Sequence, residues 1–285
     1  MPEEVPSVSA DPLPTGDVPA GMVDRVVLIL DVFARSSGRL TLGQITARSR
    51  LPRSSVHRIL QQLVTARWVS RDDNEYSLGL RVFEIGSQVG TRRRLTEAAA
   101  PHLHDLSRMT GHTVHLAVLD GHEVVYLEKI SGGFGTRLPS RIGGRLPAHC
   151  TGVGKVLLAQ SDPSVVDDYV AHALPRQTRA SIHEPQALRD ALDSIRGLGY
   201  ATERSEAVPG VGCVAAAVIE YDEPIAAVSI CGPQRLAGIP EMKHHVIRTA
   251  AQISRRLATP QRPRPTARPA VMVPGQLAQV LGPRS

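Results

Sequence analysis

Residues 51–65 read Leu51-Pro52-Arg53-Ser54-Ser55-Val56-His57-Arg58-Ile59-Leu60-Gln61-Gln62-Leu63-Val64-Thr65, and their spacing decides the amino-terminal fold. Leu51-Pro52 marks a turn, since proline disfavours helix at the residue before it. From Arg53 onward Val56, Ile59, Leu60, Leu63 and Val64 recur at i, i+3, i+4, i+7 and i+8, which is one buried stripe of a helix. At about 100° per residue the opposite side carries Ser54, Arg58 and Gln61, with Ser55 and Gln62 on one shoulder and His57 on the other. That outer face holds no acid.

Upstream, Thr41 and Gln44 have capping-box spacing and predict a short helix ending near Ser49. Before it, Met22 to Ala34 places Val23, Val26, Val27, Leu30 and Ala34 at helical spacing, with Gly38 as a stop signal. Downstream, Trp68 to Arg71 and Glu75 to Leu78 read as strands around the turn-forming trio Asp72-Asp73-Asn74. Three helices followed by a hairpin is the order of a winged helix-turn-helix.

The charge agrees. From Val32 to Arg71 there are eight arginines and no Asp or Glu, whereas from Thr96 to Ala258 sixteen basic residues face seventeen acidic ones. A net charge of +6 concentrated in this way points to a polyanion as partner of the first segment. In helix-turn-helix docking the first half of the second motif helix meets base edges, so Arg58 is placed to bond guanine, with His57 and Gln61 beside it. Arg53, Ser54 and Ser55 open the helix, where free amides favour phosphate. Arg71, Asn74 and Tyr76 on the hairpin are placed to touch the backbone or minor groove of double-stranded DNA.

Leu80 to about Arg94 predicts a linker helix with apolar residues on more than one side, ending in Arg92-Arg93-Arg94. Beyond it helices and strands mix: a helix from Glu97 to Met109, a hairpin from Thr113 to Ile130, a glycine-rich loop at 132–135, helices near Gly152–Gln160, Pro163–His172 and Pro185–Arg196, three strands between Tyr200 and Cys231, and a last helix to Leu257. The expected class is α+β, a mainly antiparallel sheet with helices packed against it. The expected organisation is a disordered arm (1–20), a winged helix-turn-helix domain (21–79), a linker helix (80–95), an effector-binding and oligomerisation domain (96–258) and a disordered Pro/Arg-rich tail (259–285).

The three cysteines, Cys150, Cys213 and Cys231, are widely separated without metal-ligand spacing, so a reduced, cytoplasmic protein is expected. No apolar run reaches the roughly 18 residues of a membrane span, and no cofactor or metal is expected: His102 with His104 and His244 with His245 lack the i, i+4 spacing of helical ligands. Catalysis is not expected either. A phosphate loop around Gly154-Lys155 would need Gly at His149 and Ser or Thr at Val156, and His149 and Cys150 are sequence neighbours that rarely face each other.

At Arg53-Ser54-Ser55-Val56-His57-Arg58-Ile59-Leu60 and Tyr76-Ser77-Leu78-Gly79 the sequence resembles the IclR family of bacterial transcriptional regulators. The resemblance continues through Leu146 to Ala159, through Gly199-Tyr200-Ala201 to Ala215, and at Ser229-Ile230-Cys231-Gly232-Pro233, so it spans roughly residues 22 to 257. It departs at Arg67, where the family usually has Gly before the wing, at Ala217, where Pro is common, and at Cys150, where Ala is usual.

The resemblance implies a homodimer or tetramer on a palindromic or repeated operator, and a GAF-like effector domain that binds a small organic acid or aromatic metabolite. It implies a pocket of Leu138, Gly152, Val153, Glu203, Cys213, Ser229 and Cys231. Independently, Thr151-Gly152-Val153-Gly154 opens a helix whose small residues let a carboxylate approach exposed amides, with Lys155 nearby.

Overall fold

The computed structural model describes residues 21–36, 38–132, 138 and 140–259. The expectations for the arm at 1–20, the tail from 260 and most of the glycine-rich loop lie outside the described residues.

The amino-terminal unit is built as its periodicity requires: α1 (Met22–Ala34), the two-residue strand β1 (Leu40–Thr41), α2 (Leu42–Ser49), α3 (Arg53–Thr65) and a hairpin of β2 (Val69–Asp72) and β3 (Glu75–Leu78). β1, β3 and β2 form an antiparallel sheet in that order, with Leu40 opposite Tyr76. The Thr41 hydroxyl accepts from the Gln44 amide at 3.3 Å, while the Thr41 amide donates to Gln44 Oε1 at 2.8 Å, closing both halves of the capping box.

The core joins Ile29, Val32 and Phe33 of α1 to Ile45, Val56, Ile59, Leu60 and Tyr76. The buried face of α1 differs in part from expectation: Val26 and Leu30 pack half-buried against the core, but Val23, Val27 and Ala34 are exposed, and Ile29, Val32 and Phe33 are the residues fully buried. Apolar residues surround that helix, so period alone does not choose its inner side.

The expected single linker helix is two elements. α4 (Leu80–Gly86) ends in i→i+3 closures, with the Gln88 amide on the Ile85 carbonyl and the Val89 amide on that of Gly86. α5 (Gly90–Thr110) then runs on through Pro101. The three arginines therefore open a long helix rather than close a linker. Arg93 pairs with Glu97 at 2.9 Å, and Arg94 reaches Glu220 at 2.7 Å and the Leu257 carbonyl. Glycines at 86 and 90, poor helix formers, bracket the break.

The remainder is a six-stranded sheet with neighbouring strands antiparallel, in the order β6 (Arg145–Pro147), β5 (Glu123–Ile130), β4 (Thr113–Asp120), β9 (Glu223–Pro233), β8 (Val211–Glu220) and β7 (Ala201–Arg204). The other elements are α6 (Gly152–Gln160), α7 (Pro163–Ala171), α8 (Pro185–Leu198) and α9 (Pro240–Ala258). Because strand residues alternate between faces, Val114, Leu116, Val214, Ala216, Val228 and Ile230 meet α5 and α9 on one side. Ala117, Ala215 and Ala227 meet α6 and α8 on the other. No helix among the described residues is long and apolar enough to cross a membrane.

Candidate functional site

Two surfaces carry the residues singled out from sequence. On α3, Val56, Ile59, Leu60 and Leu63 are buried, which turns Arg53, Ser54, Arg58 and Gln61 to solvent and leaves Ser55 and His57 half-buried. The helix has no acid in its first turn and no side-chain cap at Pro52, so its first amides point outward unmasked.

A surface cleft of about 300 Å³ lies where α2, α3 and the wing meet, lined by Thr41, Leu42, Gly43, Arg53, His57, Arg71, Asn74 and Tyr76. Five of the nine expected DNA-facing residues share that cleft, while Ser54, Ser55, Arg58 and Gln61 lie outside it. Tyr76 is only 4% exposed. Its ring is part of the core, and the Arg71 guanidinium sits 5.7 Å from its centroid, with the Arg71 Nε–H bonding the Asp73 carbonyl at 2.8 Å. Sequence reasoning misses Thr41, Leu42 and Gly43, since capping already accounts for Thr41 and no charge or motif singles out the other two.

The turn into the wing is a Schellman closure: the Trp68 amide bonds the Leu63 carbonyl at 2.9 Å and the Arg67 amide that of Val64 at 3.0 Å. It places Arg67 at φ 63°, the left-handed region, which is why glycine suits this position.

The second surface lies on the α6 face of the large sheet. Register places Cys213 opposite Cys231 and Glu203, and Ser229 opposite both His115 and Ala215, so these side chains share one face. Towards α6 that face is lined with alanine. Beyond the alanines it turns polar, with His115, Glu203 and Ser229 each no more than 3% exposed.

The start of α6 abuts this stripe. A Cβ at Gly152 would come 3.4 Å from Ala215 Cβ and 3.7 Å from Cys213 Sγ, and one at Gly154 would collide with the Ala148 backbone. Thr151 caps the helix by accepting from the Gly154 amide at 3.0 Å, leaving Gly152 and Val153 as the orphan donors of the helix start. Val153 is fully packed in the core at 1% exposed. Leu138 is half-buried, and its carbonyl accepts from Lys129 Nζ at 2.9 Å. Lys129 pairs with His115 across β4–β5. The stripe thus brings Glu203, Cys213, Ser229 and Cys231 to one face of the sheet with Gly152 against it, whereas Val153 lies in the core and Leu138 meets the stripe through its carbonyl.

Two expectations are corrected. Cys213 and Cys231 are not separate thiols but face each other across β8–β9 with Cα atoms 4.4 Å apart, a pair placed for a disulfide, and Cys150 stands apart from them. Hairpin register across an 18-residue separation makes the pair, and spacing alone does not reveal it. Lys155 supplies no free charge, because its Nζ is clamped by Glu206 at 2.6 and 2.8 Å in a buried pair, and breaking such a pair costs about 3–5 kcal/mol.

Sequence reasoning also misses His115. Its Nε2 lies 2.8 Å from the Ser140 hydroxyl, and its Nδ1 is buried without a hydrogen-bond partner among the described residues. Burial lowers its pKa to about 3, with Lys129 adding to the shift. The available signal is a lone ionisable residue in the strand pattern Thr113-Val114-His115-Leu116. Burial raises Glu203 to about 7, against the amides of Glu206 and Ala207 that bond its Oε1. Burial and the nearby Glu203 push the Tyr126 phenol up, and that ring lies 5.0 Å from the His115 ring.

His149 and Cys150 do not form a nucleophile and base. Burial lowers the imidazole, which is held by the Tyr169 hydroxyl and the Pro175 carbonyl, and burial pushes the Cys150 thiol up.

Comparison with known proteins agrees with this geometry. The family model of the IclR helix-turn-helix domain matches residues 22–73, and that of the bacterial transcriptional regulator IclR C-terminal domain matches residues 87–255. The HTH-type transcriptional regulator XynR of Escherichia coli is 35% identical over 212 residues, 73% of this chain and 84% of XynR. The transcriptional repressor IclR of the same organism is 32% identical over 234 residues, 80% of this chain and 84% of the repressor. A crystal structure of an IclR homologue from Microbacterium hydrocarbonoxydans complexed with 4-hydroxybenzoate superposes with a TM-score of 0.76 at 28% identity, covering 83% of this chain and 99% of that one. With both units matched in order and relatives of this identity and span, the chain belongs to the IclR family and is a DNA-binding transcriptional regulator of that type.

Proposed function

We propose that this regulator binds its operator as a homodimer or tetramer, with two copies of α3 in successive major grooves, and is switched by a small organic acid of aromatic character. The ligand would bind between the start of α6 and the polar stripe of β4, β8 and β9. Arg58 would read a base edge with His57 and Gln61 beside it. Arg53, Ser54 and Ser55 would fix the register on phosphate, and Arg71 and Asn74 would hold the wing on the backbone, with Tyr76 supporting Arg71 from beneath.

The observation that carries the ligand reading is the His115 Nδ1, buried in the polar stripe without a hydrogen-bond partner among the described residues. Leaving such an atom without a partner costs about 1–3 kcal/mol, which a ligand hydroxyl or carboxyl group would recover. Glu203 Oε1 is engaged by two amides, so a proton on the acid resides on its other oxygen and can be donated to a ligand carboxylate. Gly152 and Val153 would add helix-start amides, and Leu138, Ser229 and the Cys213–Cys231 pair the walls. The 4-hydroxybenzoate complex of the Microbacterium homologue supports an aromatic acid.

In this reading residues 21–79 form the DNA-binding domain, 80–95 the connection and 96–258 the effector and oligomerisation domain, working in the cytoplasm. Leu80 and Phe83 on α4, each 71% exposed, are the apolar surface offered to a second copy. The ligand must bind the DNA-competent and incompetent arrangements unequally, because equal affinity shifts nothing.

The test is fluorescence anisotropy on DNA from upstream of the chain's own gene, at several salt concentrations and with competitor DNA, with and without aromatic acids. Arg58→Ala should cost about 1–3 kcal/mol of specific binding and relax discrimination at one position per half-site. Ser229→Val should abolish the ligand shift with operator affinity retained. Competitor-resistant binding that no acid alters would reduce the second domain to an assembly module.

A further inference from the structure

At the β4–β5 end of the large sheet, the β4–β5 turn and the end of α7 bring together three metal-ligating side chains that no sequence spacing announces. His122 follows Gly121 in the turn, Asp168 lies on α7, and His172 is the residue that ends that helix. Their donor atoms all lie within 4.8 Å of one another.

Each group is prepared differently. His172 Nδ1 lies 2.8 Å from the Asp168 carbonyl oxygen, which makes Nδ1 the protonated nitrogen and leaves the lone pair on Nε2. A metal-binding histidine is commonly oriented in this way. His122 Nε2 is buried and has no hydrogen-bond partner among the described residues; the Asp168 carboxylate stands 3.6 Å from it, beyond hydrogen-bond reach. The two imidazole rings lie 4.3 Å apart.

The turn is also anchored independently of any ion. The His122 carbonyl accepts from the Ala148 amide at 3.1 Å and from the Tyr169 hydroxyl at 3.2 Å, and the Tyr169 ring packs 5.1 Å from that of His122. A buried nitrogen facing a carboxylate across a gap too wide for a hydrogen bond has the spacing of two ligands on one ion. Donors at about 2.0–2.2 Å from a tetrahedral metal stand about 3.3–3.6 Å apart.

We propose that His122, Asp168 and His172 bind one divalent transition-metal ion per chain, with zinc the best fit, and leave the fourth position to water. Two neutral imidazoles and one carboxylate suit zinc and its neighbours, whereas calcium and magnesium require oxygen ligands. His172 is exposed at the helix end, so a small turn of its ring within the present rotamer, keeping the Nδ1 bond to Asp168, brings Nε2 inward without moving the fold. The ion would tie the β4–β5 turn to α7. Through Tyr169, whose hydroxyl also accepts from the His149 amide at 3.0 Å, it would tie both to the segment leading into α6.

The experiment is a zinc titration of full-length, untagged, chelator-stripped protein in competition with a chromophoric chelator. One zinc per chain is expected. His122→Ala and His172→Ala should each weaken it by at least about tenfold, while His102→Ala/His104→Ala leaves it unchanged. Zinc should raise the melting temperature of the parent and not of His172→Ala, whose exposed position keeps the fold intact. Absence of zinc binding by the parent overturns the proposal, as does binding of unchanged affinity in both single variants, which would place the ion elsewhere.

Discussion

The two units of this regulator store function in opposite ways. In the amino-terminal unit the residues proposed to meet DNA lie on one exposed 13-residue helix, α3, and on the wing beside it. In the carboxy-terminal unit the residues proposed to meet a ligand are buried and come from separate elements: His115 from β4, Gly152 from α6, Glu203 from β7, Cys213 from β8, and Ser229 and Cys231 from β9. A helix that shows polar groups to solvent needs only a sound inner face. A sheet that buries them must balance charge, proton and hydrogen bond within itself, and is therefore the part whose behaviour should respond to pH and ligand.

The largest expected effect tests whether the units are separate. Leu60 is fully buried beneath α3, and Leu60→Ala should cost about 2–5 kcal/mol. Operator binding should fall with the melting of the amino-terminal unit, while the urea midpoint of the carboxy-terminal unit stays where it was. Equal shifts in both transitions would show one cooperative body and break the contrast.

A smaller effect comes from the buried pair of titrating groups. Glu203 is raised from 4.5 to about 7, so its contribution is full below pH 4.5 and is lost as pH rises through 7. His115 is lowered from 6.5 to about 3, so its contribution is full above pH 6.5 and is lost as pH falls towards 3. Between pH 4.5 and 6.5 the folded chain holds its proton on Glu203 and the unfolded chain on His115, one each, so their slopes cancel. Glu203→Gln removes one side of that balance. Stability in urea should then rise with pH across the window by up to about 1.4 kcal/mol per unit, where the parent is nearly flat. An unchanged profile would mean that the two groups do not titrate as this burial dictates.

The same contrast explains which parts of the molecule are legible in the sequence. Val56, Ile59, Leu60 and Leu63 declare α3 to the residue, and Thr41 with Gln44 declares the start of α2, because each signal lies within a few positions of chain. The family resemblance gathers the proposed pocket residues, yet their chemistry stays hidden. The Cys213–Cys231 pair, the capture of Lys155 by Glu206 and the meeting of His122 with Asp168 and His172 all depend on register or packing between distant segments. Even in the legible unit, α1 conceals its buried side because apolar residues ring it, and the break after Gly86 lies within an unbroken helical period.

The smallest effect concerns the turn where α3 hands the chain to the wing. Arg67 adopts φ 63° there, a conformation that costs a side-chain-bearing residue roughly 1–2 kcal/mol. Arginine partly offsets this, since a cation near a helix end is worth about 0.3–1 kcal/mol, and glycine would add unfolded-state entropy of about 0.5–1 kcal/mol. These contributions nearly cancel, so Arg67→Gly should leave stability unchanged to within about 0.5 kcal/mol. Arg67→Ala removes the same charge and keeps the strained backbone, so the glycine variant should exceed the alanine variant by about 1 kcal/mol. Urea midpoints at constant slope measure this difference. A glycine variant no more stable than the alanine one would mean that the Schellman closure from Trp68 and Arg67 to Leu63 and Val64 relaxes without cost, and that arginine at this turn is tolerated for the wing rather than for its charge.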